Sequence, residues 1–367
     1  MMLGTAVHAF SDPFWLQWHL TDACNLSCRH CYREPGVMRR EAPVEALEAV
    51  VRRYAAFLAG RGLEGRIQLG GGEPLLATDP LFTVIRAART HGIPCRVMSN
   101  GTVVTAELAR SLVDLGVEVV QVSIDGGREV HDALRGDGTF ERACAGAALL
   151  ARAGIEVTIA ATLCRANADQ VEPVARAAAS VCARRLAFSR LVPRGAGAAL
   201  RDELLSPAGW LAAQVSMLEH ARRYGVALMA RDPTFAVLLS RPHATRVPRR
   251  AGGCAAGFNG LVIDPDGTAF PCRRLPVPVG NVFEQGFDEI WASPVLETLR
   301  RRDALRGACG ACRLRWLCGG CRAVAHATTG DVMAEDPQCP LRAGPLSRSW
   351  SSARRRWHRW RWAAAAP

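Results

Sequence analysis

The sequence predicts an α/β fold: a partial (β/α)6 barrel followed by a small cysteine-rich α+β domain. Three observations lead there. From residue 15 to about 193, short Val/Ile/Leu-rich runs alternate with longer amphipathic ones, the pattern of a parallel sheet covered on both faces. The polar and glycine-rich punctuation falls where the strands end. Cysteines gather directly after the first strand and again from Cys254 onward. At 367 residues the chain can hold one large domain and a smaller one.

The first strand is expected at "FWLQWHL" (14–20) and the first helix at "VEALEAVVRRYAAFLAG" (44–60), where apolar residues recur at helical spacing. "RIQLGGG" (66–72) pairs with "LFTVIRAARTHG" (81–92), and "PCRVMSNG" (94–101) with "AELARSLVDLG" (106–116). "VEVVQVSID" (117–125) precedes "FERACAGAALLARAG" (140–154), "EVTIAATL" (156–163) precedes "ADQVEPVARAAASVC" (168–182), and "RRLAFSRLVP" (184–193) ends the series. Six such units are too few to close an eight-stranded barrel, so a curved, open, TIM-like barrel is expected, with an open sheet as the other geometry. In either, a ligand lies at the C-terminal ends of the strands. The cysteine loop, "GGGEP", "SNG", "SIDG" and "RLVPRG" all fall at that end.

Beyond the barrel, 202–226 reads as one long helix interrupted near Pro207, and 241–253 as a linker. "NGLVIDPDGTAFPCRR" (259–274) reads as a hairpin about a "DPDG" turn. The expected division is a barrel at 1–200, helix and linker at 201–253, the cysteine-rich domain at 254–345, and an Arg/Trp-rich tail at 346–367 without apolar periodicity and expected to be disordered.

Composition removes several classes of function. No run of eighteen apolar residues suggests a membrane span, and "MMLGTAVHAFSDPF" lacks the features of a signal peptide, so a cytoplasmic protein is expected. Fourteen cysteines without an export signal argue for metal ligation or redox chemistry rather than disulfides. Cys95, Cys144, Cys164 and Cys182 are scattered singly and read as small buried hydrophobes. All 46 basic residues are Arg, which excludes Schiff-base chemistry on lysine. The net charge of +12 could suggest nucleic acid. However, "RSWSSARRRWHRWRW" holds six Arg and no acid, so the body is only modestly basic and no nucleic-acid partner is expected.

The chemistry starts at "TDACNLSCRHCYRE" (21–34). Cys24, Cys28 and Cys31 can wrap three corners of a cubane iron–sulfur cluster and leave one iron open, because such clusters normally take four thiolates. A zinc site short of a ligand is the competing reading. His30 lies too close in sequence to Cys28 and Cys31 to complete one easily.

This loop resembles the CxxxCxxC signature of the radical S-adenosylmethionine (radical SAM) enzymes. "GGEP" (Gly71, Gly72, Glu73), "SNG" (Ser99, Asn100), "SIDG" (Ser123, Asp125) and Arg135 follow in that family's order. The resemblance covers about 15–200. It implies a SAM-binding [4Fe–4S] cluster on Cys24, Cys28 and Cys31, with Tyr32 and those motif residues around the cofactor. The glycines would let the backbone approach the methionine amino group. Ser123 and Arg135 would hold the methionine carboxylate, which suits a guanidinium fork. In the family, one electron from the cluster splits SAM into methionine and a 5′-deoxyadenosyl radical, which takes a hydrogen atom from the substrate.

The later cysteines resemble the SPASM domain, which carries two auxiliary iron–sulfur clusters. The resemblance gives Cys309, Cys312, Cys318 and Cys339 to one cluster, and Cys254, Cys272 and Cys321 to another that is one thiolate short. The pattern departs from the family in the Cys318–Cys321 interval, two residues where three are common. A zinc ribbon is the competing reading, but ribbons separate their pairs by about 15–20 residues and here five intervene. Arg273 stands where sulfatase-maturing relatives place an acid, which weakens a formylglycine-forming reading. The resemblance implies, first, maturation of a ribosomally made peptide through a thioether or carbon–carbon cross-link, and second, a reaction on a tetrapyrrole or other small molecule. Too few residues precede the first strand for an independent leader-binding fold, so a separate leader-binding protein is expected if there is a leader. An external electron donor of flavodoxin or ferredoxin type is also implied. A non-catalytic iron–sulfur or zinc module is the alternative of another class; it would leave Glu73, Ser123 and Arg135 idle.

Overall fold

All six expected strands form, each short and carrying apolar residues that a core on both faces can bury. The computed structural model describes residues 13–34, 40–239 and 253–343. In chain order the barrel strands are β1 (Phe14–Thr21), β2 (Gly65–Gly71), β3 (Cys95–Ser99), β4 (Val119–Ser123), β5 (Glu156–Leu163) and β6 (Arg185–Arg190). A seventh, β7 (Ala227–Met229), extends the parallel series by one. The covering helices are α1 (Val44–Arg61), α2 (Thr78–Thr90), α3 (Ala106–Asp114), α4 (Arg128–Arg135), α5 (Thr139–Arg152), α6 (Val171–Ser180) and α7 (Pro207–Arg223). Strand residues such as Leu16, Trp18, Ile67, Val97, Val120, Val157 and Leu186 pack with Leu47, Val51, Ile85, Leu112, Leu150 and Val174 of the helices in one continuous core.

The long helix expected from 202 divides. A 3₁₀ stretch, Gly195–Glu203, ends in extended backbone at Leu204. Then α7 starts afresh at Pro207, with Ser206 Oγ accepting the Gly209 N–H at 3.1 Å. Proline suits a first helical position, where its missing N–H costs nothing.

The C-terminal segment contributes α8 (Phe235–Leu239), β8 (Gly260–Ile263), β9 (Thr268–Phe270), β10 (Gly280–Asn281), α9 (Phe287–Trp291), α10 (Pro294–Arg300), α11 (Gly307–Gly310) and α12 (Arg322–Thr329). The expected hairpin is β8–β9, but it does not stand apart. β8 pairs in parallel with β1 from Trp15↔Gly260 to Trp18↔Ile263, giving one ten-stranded sheet in the order β10-β9-β8-β1-β2-β3-β4-β5-β6-β7. A second join is polar. Arg190, fully buried at the end of β6, places Nε 2.8 Å from Asp232 Oδ2 and Nη2 2.8 Å from Asp336 Oδ2, against the Trp210 ring. The expected linker at 241–253, all but its last residue, and the tail at 346–367 lie outside the described residues. Among the described residues no helix is long and apolar enough to cross a membrane.

Candidate active site

The loop after β1 is held from several sides. Thr21 O accepts the Gly72 N–H at 2.7 Å and Ala23 O the Glu73 N–H at 2.8 Å. Gly71 and Gly72 are required here: a Cβ would lie 2.3 Å from Thr21 O on the first and 2.1 Å from Ala23 O on the second. Their bare faces pack on the backbone of Thr21 and Ala23. From β3, Asn100 Nδ2 donates to Asn25 Oδ1 at 2.9 Å and points at Cys24 Sγ at 4.0 Å. From beyond β6, the Gly197 N–H donates to Cys31 O at 2.9 Å. Leu134 O of α4 accepts the Arg29 N–H at 2.9 Å.

The three thiols open into one cavity of about 830 Å³ at the C-terminal ends of the strands. Tyr32, Gly71, Gly72, Ser99, Asn100, Ser123 and Arg135 line it too, so seven of the nine residues expected around the cofactor meet there. Gln121, Thr162 and Ser189 add a polar floor. Glu73 and Asp125 do not reach it. The Glu73 carboxylate turns inward to accept the Asn100 N–H at 2.7 Å and the Leu75 N–H at 3.2 Å, and burial pushes its pKa up to about 7.

Asp125, with no exposed surface, takes Arg135 Nε at 2.5 Å, His30 Nε2 at 3.1 Å and the Thr162 N–H at 2.7 Å. Burial alone would raise its pKa. The charges of Arg135 and His30 and the hydrogen bonds outweigh that and hold it well below the usual carboxylate range. Arg135 in turn directs Nη1 to Cys28 Sγ at 3.7 Å. His131, lowered to about 4 by burial and the Arg135 charge, is neutral near pH 7, and its Nδ1 accepts the Asp125 N–H at 3.1 Å.

Sequence reasoning passed over a second polar group lining the same cavity. His19 on β1, almost fully buried, sets Nδ1 2.7 Å from Asp264 Oδ1, and its Nε2 is 3.2 Å from the Tyr32 hydroxyl. Arg33 and Arg40 pair with Asp22, and Arg40 also with Asp266. Arg194 and Arg273 complete this wall. Only Arg194, within the "RLVPRG" strand end, and Arg273, after Cys272, carried any signal in the sequence.

Farther along, Cys339 neighbours Cys309 and Cys312, and Cys318 neighbours Cys339. Cys321 neighbours Cys254, and Arg274 lies near both Cys272 and Cys321. Amide groups point at these sulfurs: Asp336 N–H at 3.4 Å from Cys309 Sγ, Gly320 N–H at 3.4 Å from Cys318 Sγ and Leu314 N–H at 3.3 Å from Cys312 Sγ.

Two properties test what these thiols suit. A single zinc ion needs all its ligands about 2.0–2.3 Å from one centre, and among the described residues no three His, Cys, Asp or Glu converge that way. A cluster spreads its irons, one thiolate on each. Burial pushes the Cys24 thiol up to about 11 and raises those of Cys28 and Cys31, so the unligated groups stay protonated and only a bound cation would hold them as thiolates. An all-thiol set around a shared space fits an iron–sulfur cluster.

Fold and site together define an iron–sulfur half-barrel enzyme with a second cysteine field. The sequence model of the Radical SAM superfamily matches residues 18–178, and that of the SPASM iron–sulfur cluster-binding domain matches 254–313. The AdoMet-dependent heme synthase of Methanosarcina barkeri is 32% identical over 90% of this chain and 97% of its own length. The mycofactocin maturase MftC of Mycobacterium ulcerans is 30% identical over 90% of this chain and 89% of its own. In fold, anSMEcpe with bound AdoMet superposes with a TM-score of 0.72 at 19% identity, covering 95% of this chain and 98% of that one. The chain belongs to the radical SAM superfamily, in the branch that carries a C-terminal SPASM domain. It uses SAM and a [4Fe–4S] cluster, with auxiliary iron–sulfur clusters in the SPASM domain.

Proposed function

We propose that this enzyme abstracts a hydrogen atom from a side chain of a tetrapyrrole carboxylic acid. The observation behind the reading is the cavity itself, which the three-thiol loop shares with a set of guanidinium groups, Arg33, Arg40, Arg194 and Arg273 among them. In this reading Cys24, Cys28 and Cys31 hold the SAM-binding cluster. Cys309, Cys312, Cys318 and Cys339 hold one auxiliary cluster; Cys254, Cys272 and Cys321 hold the other. When bound, the first cluster and SAM together supply a 5′-deoxyadenosyl radical, which takes the hydrogen atom. The chain's own residues do the positioning. Tyr32, Gly71, Gly72, Ser99 and Asn100 shape the cofactor's side of the cavity, and Ser123 with Arg135 offers a hydroxyl and a fork for its carboxylate. Asp125 fixes that fork, and Glu73 fixes the Asn100 backbone. An external flavodoxin- or ferredoxin-type protein supplies the electron.

Relatives named heme synthase support the tetrapyrrole over the peptide, and so does the basic wall. Peptide maturation stands second, favoured by the relatives named mycofactocin maturase. The test is anaerobic reconstitution with SAM and dithionite. Wild type releases 5′-deoxyadenosine and methionine in equal amounts, and the Cys24→Ala/Cys28→Ala/Cys31→Ala variant releases none. Deoxyadenosine from that triple variant, or none from wild type, overturns the assignment.

A further inference from the structure

The cavity arginines differ in how their charge is met. Arg135 is answered by Asp125, Arg33 by Asp22, and Arg40 by Asp22 and Asp266. Arg29 faces the cavity but is exposed to solvent. Arg194 and Arg273 are different: both are half-buried, and among the described residues neither forms an ion pair. Their hydrogen-bond acceptors are neutral. Arg273 Nη1 donates to Gln17 Oε1 at 3.2 Å, and Arg194 Nη1 to Arg273 O at 3.3 Å. The second bond also places the two residues side by side, one from the loop after β6 and one next to Cys272 of the SPASM domain. An enclosed charge of this kind is costly unless an anion meets it.

We infer that Arg194 and Arg273 form a clamp for a carboxylate of the substrate. They hold it in the cavity that Cys24, Cys28 and Cys31 also line. The inference rests on the proposed tetrapyrrole reading and deepens it: the ligand must be the free acid, because a guanidinium fork pairs with a carboxylate through two hydrogen bonds between opposite charges, and an ester offers neither the negative charge nor two equivalent acceptor oxygens. The clamp also explains why a basic residue follows Cys272. A carboxylate there would repel the substrate, and an arginine holds it.

The test is equilibrium binding of mesoporphyrin IX and of its dimethyl ester to reconstituted protein, followed by absorption in detergent micelles. Wild type should prefer the acid by about 10- to 100-fold, the range expected for charge-assisted hydrogen bonds. Arg273→Gln and Arg194→Gln should each remove most of that preference, and Arg273→Lys should restore part of it, keeping charge without the fork. Because the two residues stand on different elements, misfolding of one variant leaves the other informative. No preference for the acid in wild type, or a preference retained in both Gln variants, overturns the clamp. Deoxyadenosine release by wild type is scored separately. Its absence would defeat the proposed reaction and leave the binding comparison intact, whereas an indifferent wild type would defeat the clamp and leave radical chemistry standing.

Discussion

Replacing Asp125 with Asn should destabilise the protein by about 3 kcal/mol, near the lower end for breaking a buried ion pair by removing one partner. The substitution keeps the shape and deletes the charge that answers Arg135 at 2.5 Å and His30 at 3.1 Å. It also turns one acceptor oxygen into a donor facing other donors, since both carboxylate oxygens are used, one by the Thr162 N–H at 2.7 Å. The sign of the pH dependence follows from the depressed pKa. A carboxyl held below its unfolded value of about 3.9 contributes stability that is present above that value and lost as pH falls toward the folded one. The gap between wild type and Asp125→Asn should therefore be flat from about pH 5 to 8 and close below about pH 4. Thermal unfolding of the anaerobically reconstituted proteins reads it, with an apparent Tm lowered by roughly 4 °C at pH 7. A variant within about 1 kcal/mol of wild type at pH 7, or a gap that widens on acidification, would refute the claim that this ion pair holds the Arg135 fork in place.

Other expectations can be checked with the same preparations. Glu73, raised to about 7 from about 4.5, favours the folded state while protonated. Wild type should lose about 3 kcal/mol as pH rises through that interval, and Glu73→Gln should flatten that slope in denaturation midpoints measured from pH 4.5 to 8. Gly72→Ala puts a methyl 2.1 Å from backbone that cannot yield. It should cost about 2 kcal/mol or more and lower the iron-to-protein ratio after reconstitution. Asp336→Asn leaves Arg190 half-answered and weakens the acceptor for the Cys321 N–H at 2.8 Å. A loss of about 3 kcal/mol should accompany faster proteolysis of the C-terminal domain; unchanged cleavage and Tm would count against that bridge.

The sequence made the barrel legible because burial on both faces demands unbroken apolar strands, as in "EVTIAATL", whose bounds match β5 at both ends. It hid β7, three part-exposed residues with no such run. It hid α4 as well, where "REVHDALR" is only eight residues long, mostly polar, and buries only His131 and Leu134. The start of α7 was written in "SP", a cap and a first-turn proline, but the apolar residues on either side suggested continuity. At the site, the cysteines declare themselves by spacing. Glu73 and Asp125 belong to the same motifs as cavity residues, but their carboxylates turn away from the cavity, and spacing cannot say which way a side chain faces. The contrast among the arginines was equally invisible. Whether a guanidinium is answered depends on which acid folds beside it, and Asp232 and Asp336, both on Arg190, are 104 positions apart in the chain.

The parallel seam between β1 and β8 sets a limit on how the molecule can be divided. Cutting the chain ahead of Gly260 would strip one side of β1, a strand of eight residues almost wholly sequestered in the intact fold. Its unsatisfied amides and carbonyls would form a template for sticking to other copies. The shortened protein should therefore clump instead of surviving as a free-standing catalyst, and the cysteine-rich portion doubles as the sheet's protective border.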